Sequence, residues 1–116
     1  MINYTKRIVK YGKNKRLLVA DFADPQYAIL SHLLTSEVPM FYEDIMRCLD
    51  IVLTGQEAVH EFSGNSCLVC ASKAETKIEC TIDGAEIGEA CIISTEELKS
   101  MVQLWKKDLS VFRAQK

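Results

Sequence analysis

The sequence predicts an α+β domain in which an N-terminal β-hairpin and two short helices precede a central antiparallel β-meander, and a long amphipathic C-terminal helix packs on the sheet. Three observations carry that expectation. Over residues 76–83, Ile78, Cys80 and Ile82 alternate with Lys77, Glu79, Thr81 and Asp83, the period-two pattern of a strand with one buried and one wet face. Near the C-terminus, Leu98, Met101, Val102, Trp105, Leu109 and Phe112 recur at helical spacing, the apolar stripe of a helix lying on a core. Elsewhere, turn-forming residues at Gly12-Lys13-Asn14-Lys15, Gly64-Asn65 and Asp83-Gly84 cut the apolar runs into strand-sized pieces.

In chain order, residues 4–11 and 16–22 are rich in β-branched, aromatic and aliphatic side chains and flank the first turn, so they form the arms of the hairpin. Asp24-Pro25 supplies an N-cap and a first-turn proline, and Tyr27, Leu30, Leu33 and Leu34 follow at near-helical spacing, predicting a helix over residues 25–35. The stretch from Ser36 to Met40, with Pro39, is expected to break it. A second helix over residues 41–54 would bury Ile45, Leu49, Val52 and Leu53, turn Glu43, Asp44, Arg47 and Asp50 to water, and end at Gly55. Next comes an acidic, strand-like block over residues 57–93. Its first strand alternates Ala58, His60 and Phe62 with Glu57, Val59 and Glu61; residues 66–71, 76–83 and 90–93 supply the other three. Ser94 and Glu97 have the spacing of a capping box, in which hydroxyl and carboxylate satisfy free backbone donors at the start of the last helix.

At 116 residues the chain is expected to form one domain around a single core. It has no apolar run long enough to span a bilayer and no apolar region near Met1, so a cytoplasmic protein without a membrane partner is expected. The five cysteines, Cys48, Cys67, Cys70, Cys80 and Cys91, are odd in number and sit in apolar periodic segments, which suits buried free thiols in a reducing compartment. Cys67 and Cys70 do form a CxxC, which invites a zinc site completed by Cys80, Cys91 or His60. Residues three apart on a strand face opposite ways, however, and Leu68-Val69 between them are strand formers, so that pair is not expected to share a metal. A redox CxxC would open a helix, and no helical pattern follows Cys70.

Charge is distributed unevenly. Residues 1–20 carry six positive and no negative charges, residues 21–97 three positive and fifteen negative, and residues 98–116 five positive and one negative. The acidic middle would repel nucleic acid and attract basic proteins. Glu57, Glu61, Glu79, Asp83, Glu86 and Glu89 fall on expected solvent faces or turns of the block and are the candidates for a protein-contact patch; a solvated sheet face without a partner is the competing reading. The hairpin cations Lys6, Arg7, Lys10, Lys13, Lys15 and Arg16 would grip phosphates if they served a nucleic acid. They also protect an edge hairpin from aggregation, and no aromatic stacking platform or nucleic-acid motif accompanies them.

Catalysis is not expected. GxSxG, HExxH, GxGxxG, P-loop and EF-hand patterns are absent, and no cofactor is implied. His32, expected on the first helix, and His60, on the first strand of the block, have nothing in the sequence to bring them together as acid and base.

Residues 41–116 resemble small bacterial immunity proteins, of the kind that neutralise toxins of contact-dependent inhibition and related secretion systems, and the YacL-like proteins of similar layout. The resemblance is carried by Leu53-Thr54-Gly55 closing a helix, Phe62-Ser63-Gly64-Asn65 ahead of the strands, and Cys91-Ile92-Ile93-Ser94 leading through Glu96-Glu97-Leu98 to Trp105. It implies a cytoplasmic, non-enzymatic protein that binds a cognate toxin domain and blocks its active site, often a nuclease with a basic cleft. No binding residue follows from the resemblance.

Overall fold

A computed structural model describes residues 2–83 and 87–115. Strands β1 (Thr5–Tyr11) and β2 (Lys15–Asp21) form the hairpin, paired from Thr5 with Asp21 to Tyr11 with Lys15. Its turn takes positive φ at Gly12 and Asn14, two residue types that tolerate the left-handed region. The hairpin is a separate two-stranded sheet, anchored to the rest of the domain along β2. Leu18 and Ala20 are buried, the Ala20 amide donates to Thr35 Oγ1 at 3.1 Å, and Arg16 lies over the Phe112 ring at 5.0 Å.

The helical segment departs from expectation. Asp24 caps a 3-10 turn (Pro25–Tyr27) by accepting the Gln26 amide, and the chain runs through α1 (Ala28–His32) and a π-helical turn (Leu33–Glu37) into α2 (Val38–Leu53) without the expected break over residues 36–40. Pro39 fails to stop the helix because it falls in the first turn of α2, just after the widened turn, where a missing N–H is tolerated. The distortion appears instead as non-helical backbone at Phe41. At the far end Gly55, at φ +79°, closes α2 as expected: its amide donates to the Val52 carbonyl and that of Gln56 to the Ile51 carbonyl, a Schellman pair.

Strands β3 (Val59–Ser63), β4 (Cys67–Ser72), β5 (Glu75–Cys80) and β6 (Cys91–Ser94) form the antiparallel meander in that order. The third strand ends before the expected Asp83. Cys67 opposite Cys80 is the last pair of the β4–β5 ladder, so Ile82 loses its strand partner and is 49 % exposed instead of sharing the buried face of Ile78. The turn expected at Asp83-Gly84 lies partly outside the described residues.

Helix α3 (Thr95–Ala114) starts as half a capping box. Ser94 Oγ accepts the Glu97 amide at 3.3 Å, but Glu97 does not reach back; Ser94 still belongs to the β5–β6 ladder, and Glu97 Oε2 takes the Ile2 amide at 2.7 Å instead. A buried relay pins the helix to the sheet, the Thr76 hydroxyl bonding Thr95 Oγ1 at 2.7 Å and the latter donating to the Ser72 carbonyl.

The helices cover one face of the four-stranded sheet. Helix α2 lies on β3 and β4, α1 on β5, and α3 on β5 and β6. The expected stripe of α3 is buried from Leu98 to Leu109, with Phe112 at its margin. Trp105 is fully buried, with the Tyr4 ring edge-on at 5.3 Å. No helix among the described residues is long and apolar enough to cross a membrane. Trp105→Ala, which leaves a large hole, is expected to lower unfolding free energy by about 3–5 kcal/mol. Leu104→Ala, at a side chain 52 % exposed on the same helix, is expected to stay within about 0.5 kcal/mol. Urea unfolding followed by circular dichroism measures both.

Candidate functional site

The sheet's two faces differ in chemistry. On the covered face lie Cys67, Val69, Ala71, Thr76 and Ile78, all buried. The bare face is set by the strand registers: Glu61, Cys70, Lys77 and Ile92 form one row across all four strands, and Ser63, Leu68 and Glu79 form the next. Val59 and Ile92 are 54 % and 58 % exposed there. Between them lies a depression of about 220 Å³ lined by Val59, Cys70, Ser72, Glu75, Lys77 and Ile92.

The structure spreads the expected acidic candidates. Glu61 and Glu79 stand on the bare face, Glu79 3.8 Å from Lys77. Glu57 precedes β3 and pairs with His60 Nδ1 at 3.1 Å. Asp83 follows β5, and Glu89 precedes β6 just after Gly88, whose backbone is pressed on Ala28. Glu57 and Glu89 therefore flank opposite edges of the sheet, three strand spacings or about 14 Å apart across it, and also opposite ends, because β3 and β6 run antiparallel. Glu86 lies outside the described residues. Glu75 was missed because the strand was expected to begin one residue later; it joins Glu61 and Glu79 as an acidic neighbour of the depression.

A second constellation was not legible in the sequence. Under the turn between β3 and β4, the buried Glu37 carboxylate accepts the Ser66 amide and hydroxyl through Oε1, each at 2.7 Å, and the Asn65 amide through Oε2 at 3.1 Å. Ser66 Oγ also lies 2.6 Å from His32 Nε2. A serine hydroxyl has one proton, and Glu37 takes it, so His32 Nε2 is the donor to Oγ. Cys67 completes the group: donor atoms of His32, Glu37 and Cys67 all lie within 4.8 Å of one another. Burial, reinforced by the Glu37 charge, pushes the Cys67 thiol up to about 12. Gly64 roofs the cluster, and a Cβ there would come within 2.2 Å of Glu37 Oε2. The sequence places His32 on the first helix and Glu37 in a helix break. The one available signal is a lone carboxylate in the otherwise uncharged stretch from Leu33 to Tyr42.

The two histidines do not converge. His32 meets Ser66 at the start of β4, whereas His60 is opposite Ala71 near its end, five residues or roughly 16 Å away. Cys67 and Cys70 face opposite sides of β4, as expected, and all five thiols are free. Of the hairpin cations, Arg7 pairs with Asp21, Lys6 with Asp108, and Arg16 with Phe112 and the Gln115 carbonyl, so Lys10, Lys13 and Lys15 remain exposed toward the tip. A groove of about 360 Å³ runs between residues 2–6 and α3. Its charged and phenolic groups are already paired: Glu97 takes the Ile2 amide, Lys6 pairs with Asp108, and Tyr4 donates to Asp108 at 2.5 Å; burial followed by that last contact raises the phenol above its ordinary range. No family model, curated protein or solved structure matches the chain.

Two measurements probe this arrangement. With Ellman's reagent at neutral pH, the half-buried Cys70 and Cys80 are expected to react first, and Cys48, Cys67 and Cys91 only on unfolding. Glu37→Gln is expected to cost about 1–3 kcal/mol, because either orientation of the amide aims an NH₂ donor at an existing donor. The same substitution is expected to speed hydrogen exchange at the Asn65 and Ser66 amides.

Proposed function

We propose that this protein is a non-catalytic binding protein that docks a basic protein partner on the bare face of its four-stranded sheet, in the manner of a cytoplasmic immunity protein holding a cognate toxin domain inactive. The observation that carries the reading is the asymmetry of the sheet. One face is sealed by helices, while the other leaves Val59, Leu68, Cys70 and Ile92 partly exposed beside Glu61, Glu75 and Glu79. Apolar side chains on β3, β4 and β6 are interleaved there with the carboxylates and Lys77 of β5, a mixture in which the apolar groups can exclude water and the charges can steer a partner.

For a nuclease partner the mechanism is competition. Carboxylates occupy positions that substrate phosphates would take, and the bulk of the domain keeps the nucleic acid out. Binding energy comes chiefly from the apolar side chains, and association rate from the carboxylates among them. The spread of the original six candidates favours the smaller set of Glu61, Glu75 and Glu79. The rival partner, a nucleic acid, would use Lys10, Lys13 and Lys15 at the hairpin tip.

The test is capture of the tagged protein from its own host, or co-expression with the product of the neighbouring upstream reading frame. A one-to-one complex with a basic toxin domain is expected, with growth rescued by co-expression. The Glu61→Gln, Glu75→Gln, Glu79→Gln triple variant is expected to associate about tenfold more slowly at low salt, with the gap narrowing as salt is raised. Ile92→Asp is expected to speed dissociation. Unchanged binding by both variants would falsify the bare face as the site, and co-purifying nucleic acid lost on replacing Lys10, Lys13 and Lys15 would transfer the function to the hairpin.

A further inference from the structure

We infer that His32, Glu37 and Cys67 form a binding site for a single borderline divalent cation of the zinc type, which would clasp the π-helical turn to the start of β4. The donor set is the first argument. An imidazole nitrogen, a carboxylate oxygen and a thiol sulfur lie within 4.8 Å of one another. Tetrahedral zinc, with bonds of roughly 2.0–2.3 Å, needs donors about 3.3–3.8 Å apart, so closure by at most about 1–1.5 Å completes three corners. Mixed nitrogen and sulfur ligation selects zinc over calcium or magnesium, which take oxygen. Ser66 Oγ, bonded to both His32 and Glu37, marks the fourth corner, open to that hydroxyl or to water.

Charge is the second argument. Glu37 and Cys67 are each about 1 % exposed. Binding replaces the Cys67 thiol proton with the metal and releases that proton to solvent, while neutral His32 offers whichever ring nitrogen carries no proton, Nδ1 directly or Nε2 once its proton has moved to Nδ1. The dication is then balanced by one thiolate and one carboxylate, and a neutral site suits an interior that penalises net charge.

Backbone is the third. The π-helical turn begins directly after His32 and ends at Glu37. In a regular α-helix, residues five apart point about 140° away from each other. The wider turn reduces that divergence and brings both side chains to the same two residues of β4's start. π-turns are rare and occur most often at functional sites. An anchor for the β3–β4 turn would need Glu37 alone; it would not need an imidazole and a thiol beside it.

The experiment uses the full chain, stripped with chelator, kept reduced and titrated first with Zn²⁺ and then with Co²⁺ as a spectroscopic probe. One equivalent is expected to bind. The cobalt complex is expected to show a thiolate-to-metal charge-transfer band, and zinc is expected to raise the thermal midpoint. His32→Gln, at a half-buried position that the fold tolerates, and Cys67→Ala are each expected to weaken binding at least tenfold, and the second to abolish the band. Cys70→Ala and His60→Gln are expected to change neither. If Cys67→Ala does not fold, His32→Gln decides by affinity alone. No stoichiometric uptake, uptake indifferent to His32 and Cys67, or uptake that follows Cys70 or His60 overturns the assignment.

Discussion

The carboxylate of Glu37 accepts three hydrogen bonds from two consecutive residues of the β3–β4 turn, and that grip ties the helical layer to the sheet. Burying an isolated carboxylate costs several kcal/mol. Three hydrogen bonds to a charged acceptor, each worth roughly 1.5–3 kcal/mol, offset that cost. The arrangement also fixes where β4 begins. Because side chains alternate along a strand, a slip of one residue at Ser66 would send Cys67, Val69 and Ala71 to the bare face and Leu68 and Cys70 into the core. The helical layer and the meander are thus locked in one register.

At the other end of the sheet the fastening is a hydroxyl chain and an ion pair. Thr76, Thr95 and the Ser72 carbonyl form a short chain under the start of α3, and Lys99 reaches Asp50 of α2 at 2.7 Å. Between these two fastenings the apolar faces of α2 and α3 meet the covered side of the sheet in one cluster. The result is a two-layer sandwich whose outer sheet face is left to solvent or to a partner, and whose cationic hairpin is an appendage rather than part of the sheet.

What could be read from the amino-acid order was whatever depends on local periodicity. The hairpin with its Gly12 and Asn14 turn, the alternation of β3 to β5, the Gly55 stop and the stripe of α3 all follow from side-chain spacing. Errors arose where one element's fate is decided by another. Pro39 looked like a helix breaker because its local effect was weighed without the widened turn before it. Ile82 looked buried because periodicity does not reveal that β4 has run out. His32, Glu37, Ser66 and Cys67 are brought together only when helix and sheet dock, so no spacing within either segment announces them. Likewise Glu57 looked interchangeable with Glu61, although one turns to His60 and the other to the bare face.

Trp105 is the single tryptophan of the chain, fully buried, with the Tyr4 ring set edge-on at 5.3 Å. Tyr4 belongs to the residues leading into β1, not to the sheet that Trp105 covers. The indole is therefore an optical gauge of hairpin docking: its emission reports whether the N-terminal strand is seated, separately from whether the meander is folded. A population with the hairpin undocked and the sheet intact would show red-shifted emission with undiminished far-ultraviolet ellipticity from the central strands and α3.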